Sequence, residues 1–579
     1  MLPLLATLVI VVLWVGYRSY GRLVARNYAL DDGVTTPAVR LNDGEDYVPT
    51  PPFYLFGQHF SAIAAAGPIA GPILAGQLFG WLPCILWIGL GVVFIGAVHD
   101  FSSLIASVRH DADSVAEIAR RHIGQRAWLL LTIFIWIALA YVIVAFADIT
   151  ASTFVGRTEE LEGGQFQFNA GGAVAGASTL YLALSLLMGV LERRFKPPLW
   201  LTTVVFVPAT LAAVWLGTKI STSFVLPFEN PQRAFGLIIL VYCFVASLLP
   251  VWLLLQPRGY LGGFVLYITL AVGVIGIFFG NLRYPGEFNI EQPAFRGFES
   301  GGPLGSLFPF LFVTIACGAC SGFHGLVCSG TTSKQISKES HTHSVGYGAM
   351  LLEAFVAVIA LSTLMIIAQG TKFPGPGKIY GDGIGRFLTV ILGKESFLFA
   401  ATFGAMAFST FVFDTLDVST RLSRYILQEL FGWKGKGAAA GATALTLVPP
   451  ALFIATARPP APGVRPAYMD FWTLFGTSNQ LLAALTLLAV TVWLHRERRR
   501  VWYTAVPMVF VMAVTLWALV AQVRVAVTQI LGGSPSFMVV MNGVVGLALI
   551  GLAVSLLIEA GKALQRNAAP PAEPATEAR

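Results

Sequence analysis

The sequence predicts an all-α polytopic membrane protein with about 15 transmembrane helices, each long enough to cross hydrocarbon. Three observations carry this. Charged residues make up 12% of the 579 and apolar residues 56%, whereas soluble chains carry about 25% charge; mean hydropathy is +0.73. Apolar runs of roughly 20 residues recur from end to end. Basic residues also fall in alternate loops, as the positive-inside rule requires: Arg18, Arg22 and Arg26; Arg109, Arg120 and Arg121; Arg193, Arg194 and Lys196; Arg258; Lys334 and Lys338; Arg421, Arg424, Lys434 and Lys436; Arg496 to Arg500; Lys562 and Arg566. The net charge of +7 is therefore read as membrane orientation and not as a nucleic-acid surface. It sets the N-terminus outside and the C-terminus in the cytoplasm.

Taken in order, the expected spans are 2–20, 55–78, 81–107, 127–149, 172–190, 199–217, 233–256, 260–280, 305–330, 345–368, 388–413, 437–456, 471–494, 502–522 and 538–560. The first run has no positive n-region and no cleavage-like small residues, so it reads as a retained helix and not a signal peptide. Residues 1–54 are then an N-terminal helix and cytoplasmic loop. Two five-helix units follow at 55–217 and 233–413, an odd count that turns the second over in the membrane. Residues 414–567 are a cytoplasmic linker helix and four C-terminal helices, and 568–579 a disordered tail rich in Pro, Ala and Glu.

The span 55–78 is interrupted by Gly67, Pro68, Gly71 and Pro72. Proline lacks a backbone donor and glycine has poor helix propensity. In hydrocarbon the freed groups must meet protein or a polar cavity, which makes a broken span the mark of a transporter site. Close packing through small residues is the plainer alternative. A second interruption is expected at Pro250, in the lead helix of the second unit, where an inverted pair would place it.

Ionisable groups within spans are costly and line paths or pockets. His59, His99, Asp100, His324 and Glu353 stand in such positions, and Ser321, Ser329, Thr331 and Thr332 enrich the span 305–330 in hydroxyls. A histidine or a desolvated carboxylate can carry a coupling proton. Asp414 and Asp417 are expected to pair with Arg421 and Arg424 one turn on. Cys317 and Cys320 form a CxxC with only His324 nearby, too few ligands for zinc, so no metal or cofactor is expected. Neither a Walker A sequence, a G-x-S-x-G elbow nor an H-E-x-x-H motif is present, so energy is expected from an ion gradient and no enzyme activity is predicted.

Many of these residues lie in stretches that resemble the carbon starvation protein A family: TPAVRLNDGEDYVPT at 36–50, FGQHF at 56–60, GAVHDF at 96–101, SLLPVW at 247–252, FPFLFVTIACG at 308–318, SGFHG at 321–325, SGTT at 329–332, GYGAMLLE at 346–353, LDVSTR at 416–421 and FGTSNQ at 475–480. The resemblance implies an inner-membrane transporter associated with nutrient limitation, taking up peptides or, in some members, pyruvate with protons. It also implies the LeuT-like five-plus-five inverted repeat of amino-acid/cation transporters. The family usually has His-His where this chain has Gln58-His59, and often Gln at the position of His99.

The function expected is secondary active import of a small carboxylate-bearing nutrient, peptide or pyruvate. Gly67, Pro68, Gly71, Pro72, Pro250, Ser321 and His324 are expected to bind substrate. His59, Asp100, Ser329, Thr331, Thr332 and Glu353 are expected to handle the coupling ion, a proton or, alternatively, sodium. A nutrient sensor with little transport is the other alternative. Oligomeric state is not specified by the sequence.

Overall fold

A computed structural model describes residues 1–44, 46–161, 166–300, 304–371, 375–457, 467–533 and 535–565; the expected tail at 568–579 lies outside them. Among these residues the chain is helical apart from one small antiparallel hairpin, Thr158–Leu161 with Phe166–Asn169. Thirteen helices are long and apolar enough to cross a membrane, and a bent pair adds a fourteenth span. Each expected span coincides with a helix or a helix pair. A 17-residue helix, Pro376–Leu392, was not expected. It folds back antiparallel on the long helix that begins at Phe397, with Gly381 against Ala405 and Gly385 against Ala401.

The first span is broken, but just before Gly67, Pro68, Gly71 and Pro72, which all lie in the second helix of the pair. Helix Pro52–Ile63 ends, Ala64 to Ala66 turn, and helix Gly67–Phe79 leaves at 45°. Pro68 sits in the first turn, where its missing N–H costs nothing. Pro72 is inside the helix, so the helical bond its N–H would have made to the Pro68 carbonyl is absent.

The second break is not at Pro250. Helix Pro231–Leu248 closes before it and the next helix starts at Leu255, so Pro250 lies in a short connection and is exposed. The helix end is closed by arginines from the Phe397–Phe431 helix: Arg421 donates to the carbonyls of Ala246 and Leu249 (2.9 and 2.8 Å), and Arg424 to that of Ser247 (2.6 Å). These bonds satisfy terminal carbonyls that would otherwise be orphaned.

The second interruption is at 315–321. Helix Leu307–Thr314 stops, and Gly322–Val327 restarts and runs through a widened turn to Thr332. No proline marks it; Gly318, Gly322 and small side chains do. The two breaks touch. A Cβ on Gly67 would collide with Cys317 Sγ, and one on Gly71 would lie 2.6 Å from the Thr314 carbonyl oxygen, so only glycine allows this approach.

Around this contact the helices Trp81–Val108, Gln125–Thr153, His343–Met365, Lys394–Phe431 and Phe471–Arg496 are the buried ones, the last along its entire apolar stretch. Leu2–Tyr28, Leu199–Lys219 and Phe537–Gln565 are largely exposed on their apolar faces, as helices facing lipid should be.

Candidate functional site

The polar groups of the buried helices converge beside the two breaks. Asp100 is completely buried and its two oxygens are held by two imidazoles: His99 Nδ1 lies 2.7 Å from Oδ1 and His324 Nδ1 2.8 Å from Oδ2. Since a carboxylate only accepts, both Nδ1 atoms carry the hydrogen. His324 then turns Nε2 toward Glu353 Oε2 at 3.4 Å. Glu353 is also completely buried, and neither of its oxygens has a hydrogen-bond partner. Two carboxylates around one imidazole in a dry core leave excess negative charge unless a proton is held there. The natural place for it is the gap between His324 Nε2 and Glu353.

His59 joins from the first break. Its Nδ1 is 2.9 Å from Thr332 Oγ1, and its Nε2 is 3.9 Å from Cys328 Sγ, which lies 3.5 Å from the Asp100 carbonyl. Helices from four separate stretches of sequence thus bring His59, His99, Asp100, His324 and Glu353 into one cluster.

A small cavity lies against this cluster, with room for about one water molecule. Ile63, Ala65, Gly67 and Pro68 line it from the first break, Cys317, Ser321, Phe323 and His324 from the second, and Val142, Phe146, Thr415 and Phe475 close it. His324 is therefore both a wall of the cavity and a member of the carboxylate cluster.

Not every expected residue is there. Pro250 is in a connection, as described. Thr331 is exposed and its hydroxyl donates to the Val327 carbonyl. Ser329 is buried, but its hydroxyl is spent on the Gly325 carbonyl at 2.7 Å. Gly71 and Pro72 support the first break without lining the cavity.

Two ionic arrangements differ from expectation or were missed. Asp414 and Asp417 do not pair with the arginines one turn on; they hold Arg258, which is completely buried. Arg258 Nε donates to Asp414 Oδ1 at 2.8 Å, Nη1 reaches Asp417 Oδ2, and Tyr242 Oη bridges Arg258 Nη1 and Asp417 at 2.6 and 2.8 Å. The end of the bundle holding Val108 and Thr332 is closed by Arg109. Its Nε and Nη2 donate to Glu339 Oε1 and Oε2 at 2.9 and 2.8 Å, and Nη2 also to the Tyr28 carbonyl at 2.9 Å. The Asp31 N–H donates to Glu339 as well, so the segment after the first helix is strapped over this end.

Interrupted spans meeting at a buried ionisable cluster are the architecture of an ion-coupled membrane transporter. The chain belongs to the family described as carbon starvation protein CstA, which it matches over residues 2–374 and 372–518. A relative named peptide transporter CstA from Helicobacter pylori is 34% identical, over 87% of this chain and 79% of that protein. One from Escherichia coli is 33% identical with 87% and 78% covered. A relative named pyruvate/proton symporter BtsT, also from Escherichia coli, is 32% identical with 87% and 79% covered. A solved structure of a manganese transporter from Eremococcus coleocola aligns at TM-score 0.44 with 15% identity, over 91% of this chain and 99% of that one.

Proposed function

We propose that this protein imports small carboxylate-bearing nutrients, peptides or pyruvate, across the bacterial inner membrane with protons under carbon limitation. The observation that carries the reading is His324, which borders the cavity and also bonds Asp100 and faces Glu353. Once the cavity, closed here to about one water molecule, widens to admit substrate, the ligand touches the same ring that holds the proton, so binding one changes the affinity for the other. The relatives named peptide transporter and pyruvate/proton symporter support the substrate class and the coupling ion. The positive end of the Gly67–Phe79 helix dipole meets the cavity at Gly67 and Pro68, which favours a substrate carboxylate there.

Six helices of spanning length lie between the two interrupted spans: Trp81–Val108, Gln125–Thr153, Ala170–Phe195, Leu199–Lys219, Pro231–Leu248 and Leu255–Arg283. An even number between them makes the broken spans run oppositely, as an inverted pair would. The Arg109–Glu339 pair is then the closure that opens for release into the cytoplasm, with the N-terminus outside.

The test is uptake of labelled pyruvate and labelled dialanine into proteoliposomes with an inward proton gradient and no sodium. Accumulation above equilibrium is expected for at least one of them. Uptake that ignores the proton gradient and requires sodium at fixed pH would overturn the coupling assignment.

A further inference from the structure

Helix Phe471–Arg496 comes late in the chain, yet its N-terminal half is given over to the second break. Trp472 Nε1 donates to the Thr314 carbonyl at 3.2 Å and Gln480 Nε2 to that of Phe312 at 3.2 Å. Asn479 is 2% exposed and faces both ways. Its Oδ1 accepts the N–H of Phe323 at 2.8 Å, while its Nδ2 donates to Ser321 Oγ at 3.1 Å and Cys317 Sγ at 3.3 Å. One late helix thereby satisfies groups that the interruption frees on both of its sides, which hydrocarbon demands.

The placement of Asn479 has a consequence for the proton site. Phe323 is the second residue of the half-helix Gly322–Val327, and the next residue is His324. Cys317, Ser321 and Phe323, all bonded to Asn479, line the cavity beside His324. Around His324 and its two carboxylates stand Asp100 and His99 from one helix, Glu353 from a second, His59 from the first break, and the thiols of Cys317, Cys320 and Cys328. A hydrogen bond weakens steeply with displacement, so a slip of the half-helix by about 1 Å would take His324 out of register with both carboxylates.

We propose that Asn479 is a positioning residue that ties the cavity to the proton site. A substrate touching Ser321 and Cys317 perturbs the carboxamide, and the carboxamide moves the backbone that carries His324. This rests on the reading of His324 as part of the proton site.

The experiment compares the parent, Asn479→Ala and Asn479→Asp as full-length chains in proteoliposomes. Labelled pyruvate and dialanine report both gradient-driven accumulation across a pH series and counterflow exchange without a gradient. In Asn479→Ala, which removes the bonds to Phe323, Ser321 and Cys317, accumulation is expected to fall at least about tenfold, the effect of losing even one buried hydrogen bond, and its pH dependence to flatten while exchange persists. Asn479→Asp keeps the acceptor for the Phe323 N–H and, when its carboxyl is protonated at the acid end of the pH series, also a donor toward Ser321, so it is expected to recover accumulation there. An Ala variant with the parent's accumulation and pH profile would overturn the inference alone. So would equal loss of accumulation and exchange with no recovery in Asp, which is a packing defect. If the Ala variant does not fold, the Asp variant decides: accumulation at or above half of the parent supports the role, and less contradicts it. A parent that shows no gradient-driven accumulation removes the underlying reading as well.

Discussion

Arg258 shows how a single side chain is handled in the membrane interior. A guanidinium cannot be deprotonated there, so it must be neutralised in place. Asp414, Asp417 and Tyr242 do this from two neighbouring helices. The sequence displays all four residues but not their pairing. Arg421 and Arg424 stand at helical spacing from the aspartates, and local spacing favours them, yet both are drawn off to cap the Pro231–Leu248 helix. Removing one partner of a buried pair leaves a stranded charge. Arg258→Met should therefore destabilise the protein by about 3–5 kcal/mol, read as a fall in thermal unfolding temperature in detergent. Arg258→Met combined with Asp414→Asn and Asp417→Asn should regain part of that loss, since no charge is then stranded. A triple variant no more stable than the single one would argue against the pairing.

At the scale of elements, the first break was legible and the second was misplaced. Gly67 and Pro68 open a new helix just after the turn at Ala64 to Ala66, a local effect that a sequence displays directly, whereas Gly71 and Pro72 stay helical. Pro250 has the same local chemistry but falls at a helix end, and nothing in a continuous apolar stretch separates a mid-span proline from one in a short connection. The true second break, 315–321, has no proline and is completed by Trp472, Asn479 and Gln480 from far along the chain. Asn479 and Gln480 carry one signal, two amides within an apolar span and inside the family-like stretch 475–480, but they are not ionisable and nothing local ties them to a break at 315–321. The touching breaks make a sharp prediction. Gly71→Ala gains helix propensity worth about 1 kcal/mol but drives a Cβ to 2.6 Å from the Thr314 carbonyl oxygen, an overpacking that costs about 1–3 kcal/mol. Uptake should fall sharply. Gly441→Ala, where nothing lies within 4 Å, should transport normally and be slightly more stable. Equal uptake in the two variants would mean that close contact of the breaks is not required.

For the whole molecule, hydropathy foretold the helices of spanning length found among the described residues, because the bilayer imposes length and polarity on every helix independently. It said nothing of which helices lie inside the bundle. Phe471–Arg496, expected among the extra C-terminal helices, is the one buried along its entire apolar stretch, and burial depends on partners that the apolar pattern of one span cannot name. The cluster was partly legible, since His59, Asp100, His324 and Glu353 are each anomalous in hydrocarbon; that they share one site emerged only from the packing of four stretches of chain. In the proposed function, that shared site joins substrate binding to proton binding, which is what coupled transport requires. The most direct measurement is gradient-driven uptake by Glu353→Gln in proteoliposomes, alongside counterflow exchange by the same preparation. With the proton held between His324 and Glu353, the variant should exchange substrate yet fail to accumulate it. Uphill accumulation equal to that of the parent would contradict the account.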